Sequence, residues 1–239
     1  MKKLLLLGLT LFCGGFAIAQ DNLLVDAPNV QKRAVVPFHG VQVSSAIDLV
    51  IKQGNEDAVA VSATDVETRN RIVTEVVNGV LHIYFNDKGF HWNWGDRKMK
   101  AFVSFKNIDE LGASGSSDVY VDGFIKATDL TIHLSGSSDF KGGIQATHLN
   151  LHQSGSSDAT VKGSAVNAEI QLNGSSDVRG YELAVDVCSI RASGSSDTQI
   201  TVNKELTVDN SGSSDVYYKG AAVIRNIHSS GSSSVSHKS

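Results

Sequence analysis

The chain has 239 residues, 41% of them apolar and 19% charged, with a formal net charge of −4. That acidic balance argues against nucleic acid and anionic membrane surfaces as partners, because both favour a basic face. The length suits a single domain with a sizeable core.

Residues 1–19 read as an export signal peptide rather than as part of the fold. Lys2 and Lys3 give a basic start, and Leu4–Phe12 is an apolar run too short to span a bilayer. Ala17-Ile18-Ala19 then has the small-x-small form that signal peptidase cuts, which places the mature start at Gln20. A lipid anchor on Cys13 would need a small residue before it, and Phe12 stands there. Removal of Lys2 and Lys3 takes the net charge from −4 to about −6. Cys188 is then the one remaining cysteine, so no disulfide within the chain staples an exported protein. No second segment is apolar enough to insert in a membrane.

Residues 20–110 read as an N-terminal β region. Strand-like stretches lie at Val41–Ile51, Ala58–Ser62, Ile72–Val77, Val80–Phe85 and Met99–Phe105, and Asn78-Gly79 is a hairpin turn signal. Between the last two stretches, "GFHWNWGDRK" at Gly89–Lys98 holds both tryptophans. Phe90, His91, Trp92 and Trp94 are the candidate ligand-binding residues of this region, since loop aromatics stack on sugar rings or anchor protein partners. The plainer reading folds the loop over the end of the core.

Residues 111–239 carry seven copies of a five-residue motif. SGSSD or a near copy puts glycine at 115, 136, 155, 174, 194, 212 and 231, at intervals of 21, 19, 19, 20, 18 and 19. Four residues before each glycine stand Leu111, Ile132, Leu151, Ile170, Ile190, Val208 and Ile227. Four residues after it the positions are again mostly apolar, from Val119 and Phe140 to Val216 and Val235. Alternation on both sides of a Gly-Ser corner means two short strands meeting at a bend. A unit of about 19 residues cannot close its own core, but stacked copies can. The fold predicted is therefore all-β, a right-handed parallel β-helix (solenoid) with an irregular N-terminal β cap, continuous through both regions as one domain. "VQVSSAIDLVI" at Val41–Ile51 fits the template as a degenerate rung, with Ser45 in the glycine position and Asp48 in the aspartate position.

The chain resembles the putative auto-transporter adhesin, head GIN domain family. The resemblance rests on "FHGVQVSSAIDLVIKQG", "VVNGVLHIYF" and the serial SGSSD motifs, and covers about Arg33 to Val235. It implies a β-helical fold and an envelope location, either periplasmic, at the outer cell surface or secreted. No stretch up to Ser239 reads as a membrane barrel for self-transport.

Six aspartates, Asp118, Asp139, Asp158, Asp177, Asp197 and Asp215, fall into one column of the stack. Carboxylates one rung apart repel by about 0.9 kcal/mol even in water. Either Ca²⁺ ions bridge the rungs, or each aspartate caps its own corner by accepting hydrogen bonds from serine and backbone N–H groups. The second reading is favoured, because calcium-binding β-rolls use a shorter glycine-rich repeat. His133 and His152 share an outward column that Gln171 and Arg191 continue, so it offers no third metal ligand. Cys188 falls in an inner apolar column and is expected to be a buried, inert thiol. The acids repeat evenly and nothing resembles a nucleophile–base pair, so no enzymatic activity is expected; a polysaccharide-active enzyme or a Ca²⁺-binding solenoid are the alternatives. A glycan or another envelope protein is the expected partner class, with no cofactor, and the oligomeric state is left open.

Overall fold

The structure, a computed structural model, describes residues 27–88 and 98–239. Residues 1–19, read from the sequence as a signal peptide, lie outside the described residues. Among the described residues sixteen strands form one continuous sheet wound into a stack of parallel coils.

The regular coils come from five long strands: β9 (Val119–Leu134), β10 (Phe140–Gly155), β11 (Asp158–Gly174), β12 (Asp177–Gly194) and β13 (Asp197–Asn210). Each pairs in parallel with the next, so equivalent residues sit directly above one another. Leu130, Leu149, Ala168, Cys188 and Leu206 form one such column, and all are buried. Val119, Phe140, Ala159, Val178, Thr198 and Val216 form another beyond the corner, also buried. The apolar ladders expected from the motif flanks are therefore the core. Cys188 is 1% exposed, and burial pushes its thiol up to about 12, which leaves it protonated at any physiological pH.

The glycine of each corner is set by two constraints. Gly136, Gly155, Gly174, Gly194, Gly212 and Gly231 all have φ between 76° and 96°, which disfavours any side chain. A Cβ on Gly155 would also lie 2.5 Å from the carbonyl oxygen of Gly136 in the coil below. That carbonyl accepts a 2.8 Å hydrogen bond from the Ser156 amide, and the same bond recurs from Ser137 to Ser232. The serine before each aspartate turns inward: Ser117, Ser138, Ser157, Ser176, Ser196 and Ser214 are fully buried, with Ser157 and Ser196 Oγ donating to the carbonyls of Ser154 and Ser193.

The N-terminal part is a degenerate rung in the position predicted, but the chain does not stack in its own order. β2 (Gly40–Val43) and β3 (Ile47–Gln53) lie parallel under β8 (Glu110–Ala113) and the start of β9. Ser45 does take the glycine position, with φ +67°, and Ala46 follows at +58°. Below this rung lies a further coil from later in the chain: β6 (Val80–Phe85) pairs in parallel with β2, and β7 (Met99–Phe105) with β3. The chain thus winds its second coil beneath its first and then climbs over both. β4 (Ala58–Ala63) runs antiparallel along β7, and β1 (Gln31–Arg33) along β4. β5 (Ile72–Val77) forms the Asn78-Gly79 hairpin with β6. The short helix α1 (Val66–Asn70), capped by the Asp65 carboxylate on the Thr68 amide at 2.8 Å, joins β4 to β5. Antiparallel strands thus cover one end of the coil. At the other end β14 (Asp215–Lys219), β15 (Val223–Ser229) and β16 (Ser234–His237) complete the last turn, and Ile227 is 42% exposed because no rung covers it.

Candidate functional site

The aspartate column forms as the sequence predicts, but its hydrogen bonds run between rungs rather than within a corner. Asp139, Asp158, Asp177, Asp197 and Asp215 each donate their backbone amide to Oδ1 of the aspartate one coil earlier, at 3.2–3.4 Å. The series ends where the Ser234 amide and hydroxyl donate to Asp215 Oδ1 at 3.0 and 2.7 Å. The own-corner capping expected from the motif is corrected here. The amide of the same residue one coil later approaches from directly above, which no local turn geometry can match. The outer oxygens differ from rung to rung. Tyr120 and Tyr217 hydroxyls donate to Oδ2 of Asp118 and Asp215, and Arg179 donates to Oδ2 of Asp158 at 2.9 Å and of Asp177 at 3.3 Å. Burial raises Asp139 and Asp197, the two without such a partner, above the ordinary carboxylate range. The Ser234 hydroxyl holds Asp215 below it. Among the described residues no group of three or more His, Cys, Asp or Glu side chains is placed to hold a metal ion.

His133 and His152 stack with ring centroids 4.8 Å apart and an interplanar angle of 12°. Burial, then the neighbouring ring, lowers the pKa of His133. The column continues through Gln171, whose side chain donates to Glu169, and Arg191, which also pairs with Glu169. Phe90, His91, Trp92 and Trp94 lie outside the described residues. Their flanks are described: β6 ends at Phe85 and β7 begins at Met99, so this segment connects two strands that elsewhere are joined by a Gly-Ser corner.

A recess of about 540 Å³ lies beyond the corners and was not anticipated. One wall is the outward column two residues after each aspartate: Tyr120, Lys141, Thr160, Arg179 and Gln199, from five successive rungs. Lys162, Tyr181 and Glu182 form the other, and Gly142 and Val161 lie between them. The recess exists because two rungs are longer than their neighbours. Lys141 pairs Tyr120 and Gly143 pairs Phe124, so Val121, Asp122 and Gly123 stand opposite Gly142 alone. Thr160 pairs Arg179 and Lys162 pairs Glu182, so Gly180 and Tyr181 stand opposite Val161 alone. Such bulges bend a strand outward and re-aim side chains. They raise both rims, while the two regular rungs between them stay low. The bulge opposite requires glycine at 142, since a Cβ there would meet the Val121 side chain at 2.5 Å.

The rims carry the larger side chains. Tyr120 is 43% exposed, with its hydroxyl on Asp118. Tyr181 has Lys219 Nζ 4.9 Å from its ring centroid. Lys162 Nζ lies 5.8 Å from the Phe124 ring centroid. The signal for this site was present in the sequence. The intervals of 21 and 20 residues are the two lengthened rungs, and their extra residues are the bulges. A smaller notch of about 210 Å³ lies before the corners, where Gly112 interrupts a column between Gln42 and His133.

The sequence model of one family, described as putative auto-transporter adhesin, head GIN domain, matches residues 37–222. The chain belongs to this family. No curated protein matches it. Among solved structures, one described as a putative adhesin from Bacteroides fragilis superposes with a TM-score of 0.78 at 14% identity, over 87% of this chain and 96% of that one. A putative adhesin from Parabacteroides merdae gives 0.70 at 17%, over 90% and 99%. A protein from Parabacteroides distasonis described as a putative lipid binding protein gives 0.68 at 21%, over 89% and 97%. At these identities the likeness establishes that the GIN-domain chain shares their fold. The family is described as a putative adhesin and not as an enzyme.

Proposed function

We propose that this GIN-domain protein is a non-catalytic, exported envelope module that binds a surface ligand through the recess between Tyr120 and Tyr181. One observation carries the reading. The repeat departs from its regular length at two rungs, and those two rungs frame the recess. A residue repeated in every coil serves the stack, whereas a binding site has to break the repetition. Export is supported by the basic start, apolar run and Ala17-Ile18-Ala19 at the N-terminus. No helix among the described residues is long and apolar enough to cross a membrane. The coil then serves as a rigid body that holds the recess, as sites built on strands are held more firmly than sites on loops.

The test is binding of the labelled chain from Gln20 onward to intact bacterial cells and to isolated outer membranes. A Lys141→Ala/Tyr181→Ala variant should lose most of the saturable signal. Glu169→Ala/Arg191→Ala, on the other side of the corner, should keep it. Equal binding by both variants would refute the assignment.

A further inference from the structure

We infer that the recess takes a neutral oligosaccharide, an inference that rests on the binding reading above. Its long dimension follows the coil axis from Tyr120 to Gln199, across four inter-rung steps of roughly 4.8 Å, or about 19 Å. That suits a chain of several units better than a compact metabolite. The lengthened rungs, three steps or about 14 Å apart, each present a tyrosine, a flat apolar face with a polar tip. Such a ring can lie against the C–H face of a pyranose. Beside the tyrosines the walls mix donors and acceptors: Lys141 and Lys162 donate, Glu182 accepts, and Thr160 and Gln199 do both. Sugar hydroxyls also donate and accept, so they match this mixture, which a pure acceptor such as a phosphate would not.

The charges argue for a neutral ligand. Arg179 is held by Asp158 and Asp177. Glu182 stands on the wall, and Asp118 and Asp139 flank the column that holds Tyr120 and Lys141. Arg179 is thus spent on the aspartate column, and the lining sets Glu182 against Lys141 and Lys162, so it offers no dense cationic face to a polyanion. The backbone argues against an extended peptide. At the recess Tyr120, Lys141, Thr160, Arg179 and Gln199 are each paired with a strand on both sides, so this column offers no free edge for strand addition.

The experiment uses the chain from Gln20 onward against arrayed hexasaccharides of neutral hexoses and of N-acetylhexosamines. Uronic-acid hexasaccharides form the acidic arm, and phosphatidylglycerol vesicles the lipid arm. At least one neutral series should bind, with affinity unchanged between low and high salt. Tyr120→Ala and Tyr181→Ala should each weaken it about three- to tenfold, with the melting midpoint retained and affinity largely restored by phenylalanine. Absence of neutral binding at millimolar concentration overturns the inference. So does stronger, salt-sensitive binding of the uronic acids, or vesicle binding that depends on the same tyrosines. If the Lys141→Ala/Tyr181→Ala variant loses cell binding while no neutral hexasaccharide binds, the recess remains the site and only its ligand class is wrong. If that variant also keeps cell binding, both readings fall.

Discussion

Replacing Gly155 by alanine separates two reasons for a glycine that the sequence cannot tell apart. At φ +82° an alanine carries about 1–2 kcal/mol of backbone strain. Its Cβ would stand 2.5 Å from the Gly136 carbonyl oxygen, so the two coils must part at this corner. Parting weakens the 2.8 Å bond from the Ser156 amide to that oxygen, worth about 1 kcal/mol. Alanine recovers about 0.5 kcal/mol through the unfolded chain. The net cost is about 1.5–2.5 kcal/mol, a fall of about 3–10 °C in Tm for a chain of this size. Gly115 supplies the control. Its φ is +77°, but the nearest atom to an added Cβ is the Ser45 amide nitrogen at 3.5 Å, an ordinary contact. Gly115→Ala should therefore cost about 1 kcal/mol, or about 2–4 °C. Thermal unfolding by circular dichroism reads both. If Gly155→Ala melts no lower than Gly115→Ala, the close approach of coils at the corner is not what selects glycine.

Other consequences follow from the same packing. Thr198 is fully buried between Val178 and Val216, and its hydroxyl has no hydrogen-bond partner, so Thr198→Val should raise Tm by about 2–4 °C; a fall would mean that the hydroxyl is bonded. Asp139 is raised by burial, so the folded chain holds its proton more readily than the unfolded one. Its carboxylate then costs stability at neutral pH, and the cost fades as pH falls through the folded pKa. Asp139→Asn keeps an acceptor for the Asp158 amide and should melt above the wild type at pH 7, with the gap closing as pH drops toward about 4; a gap that widens on acidification would reverse the sign. Asp215 is held low by Ser234 and contributes the opposite way, with its stabilisation lost on acidification. Calcium at millimolar concentration should leave the midpoint unchanged, since Oδ1 of each aspartate is engaged by an amide; a clear rise would restore the ion-bridging alternative.

The coil was legible in the sequence because stacking gives every rung the same environment. Leu130, Leu149, Ala168, Cys188 and Leu206 must all face inward, and the repeat states this five times. Even the degenerate rung could be placed from Ser45 and Asp48. The insertion of β6 and β7 beneath β2 and β3 was not legible. It depends on pairings such as Ile47 with Met99, which leave no periodic mark. The aspartate bonds were assigned to the wrong coil because a corner read alone does not show the amide one rung away. The recess was missed for a different reason. Its residues repeat nothing, and intervals of 21 and 20 read as noise until the pairing of Lys162 with Glu182 shows where the extra residue goes.

In the proposed function the repeated residues hold the fold and the departures from the repeat bind the ligand. A variant lacking Asp122, Gly123 and Tyr181 tests it most directly, because both lengthened rungs would then match the regular pairing of β10 with β11. The measurement is its saturable binding to cells beside its melting midpoint. The expected outcome is an intact or higher midpoint with binding reduced to background. Retained binding would contradict it, and so would loss of the fold, which would make the bulges part of the stack.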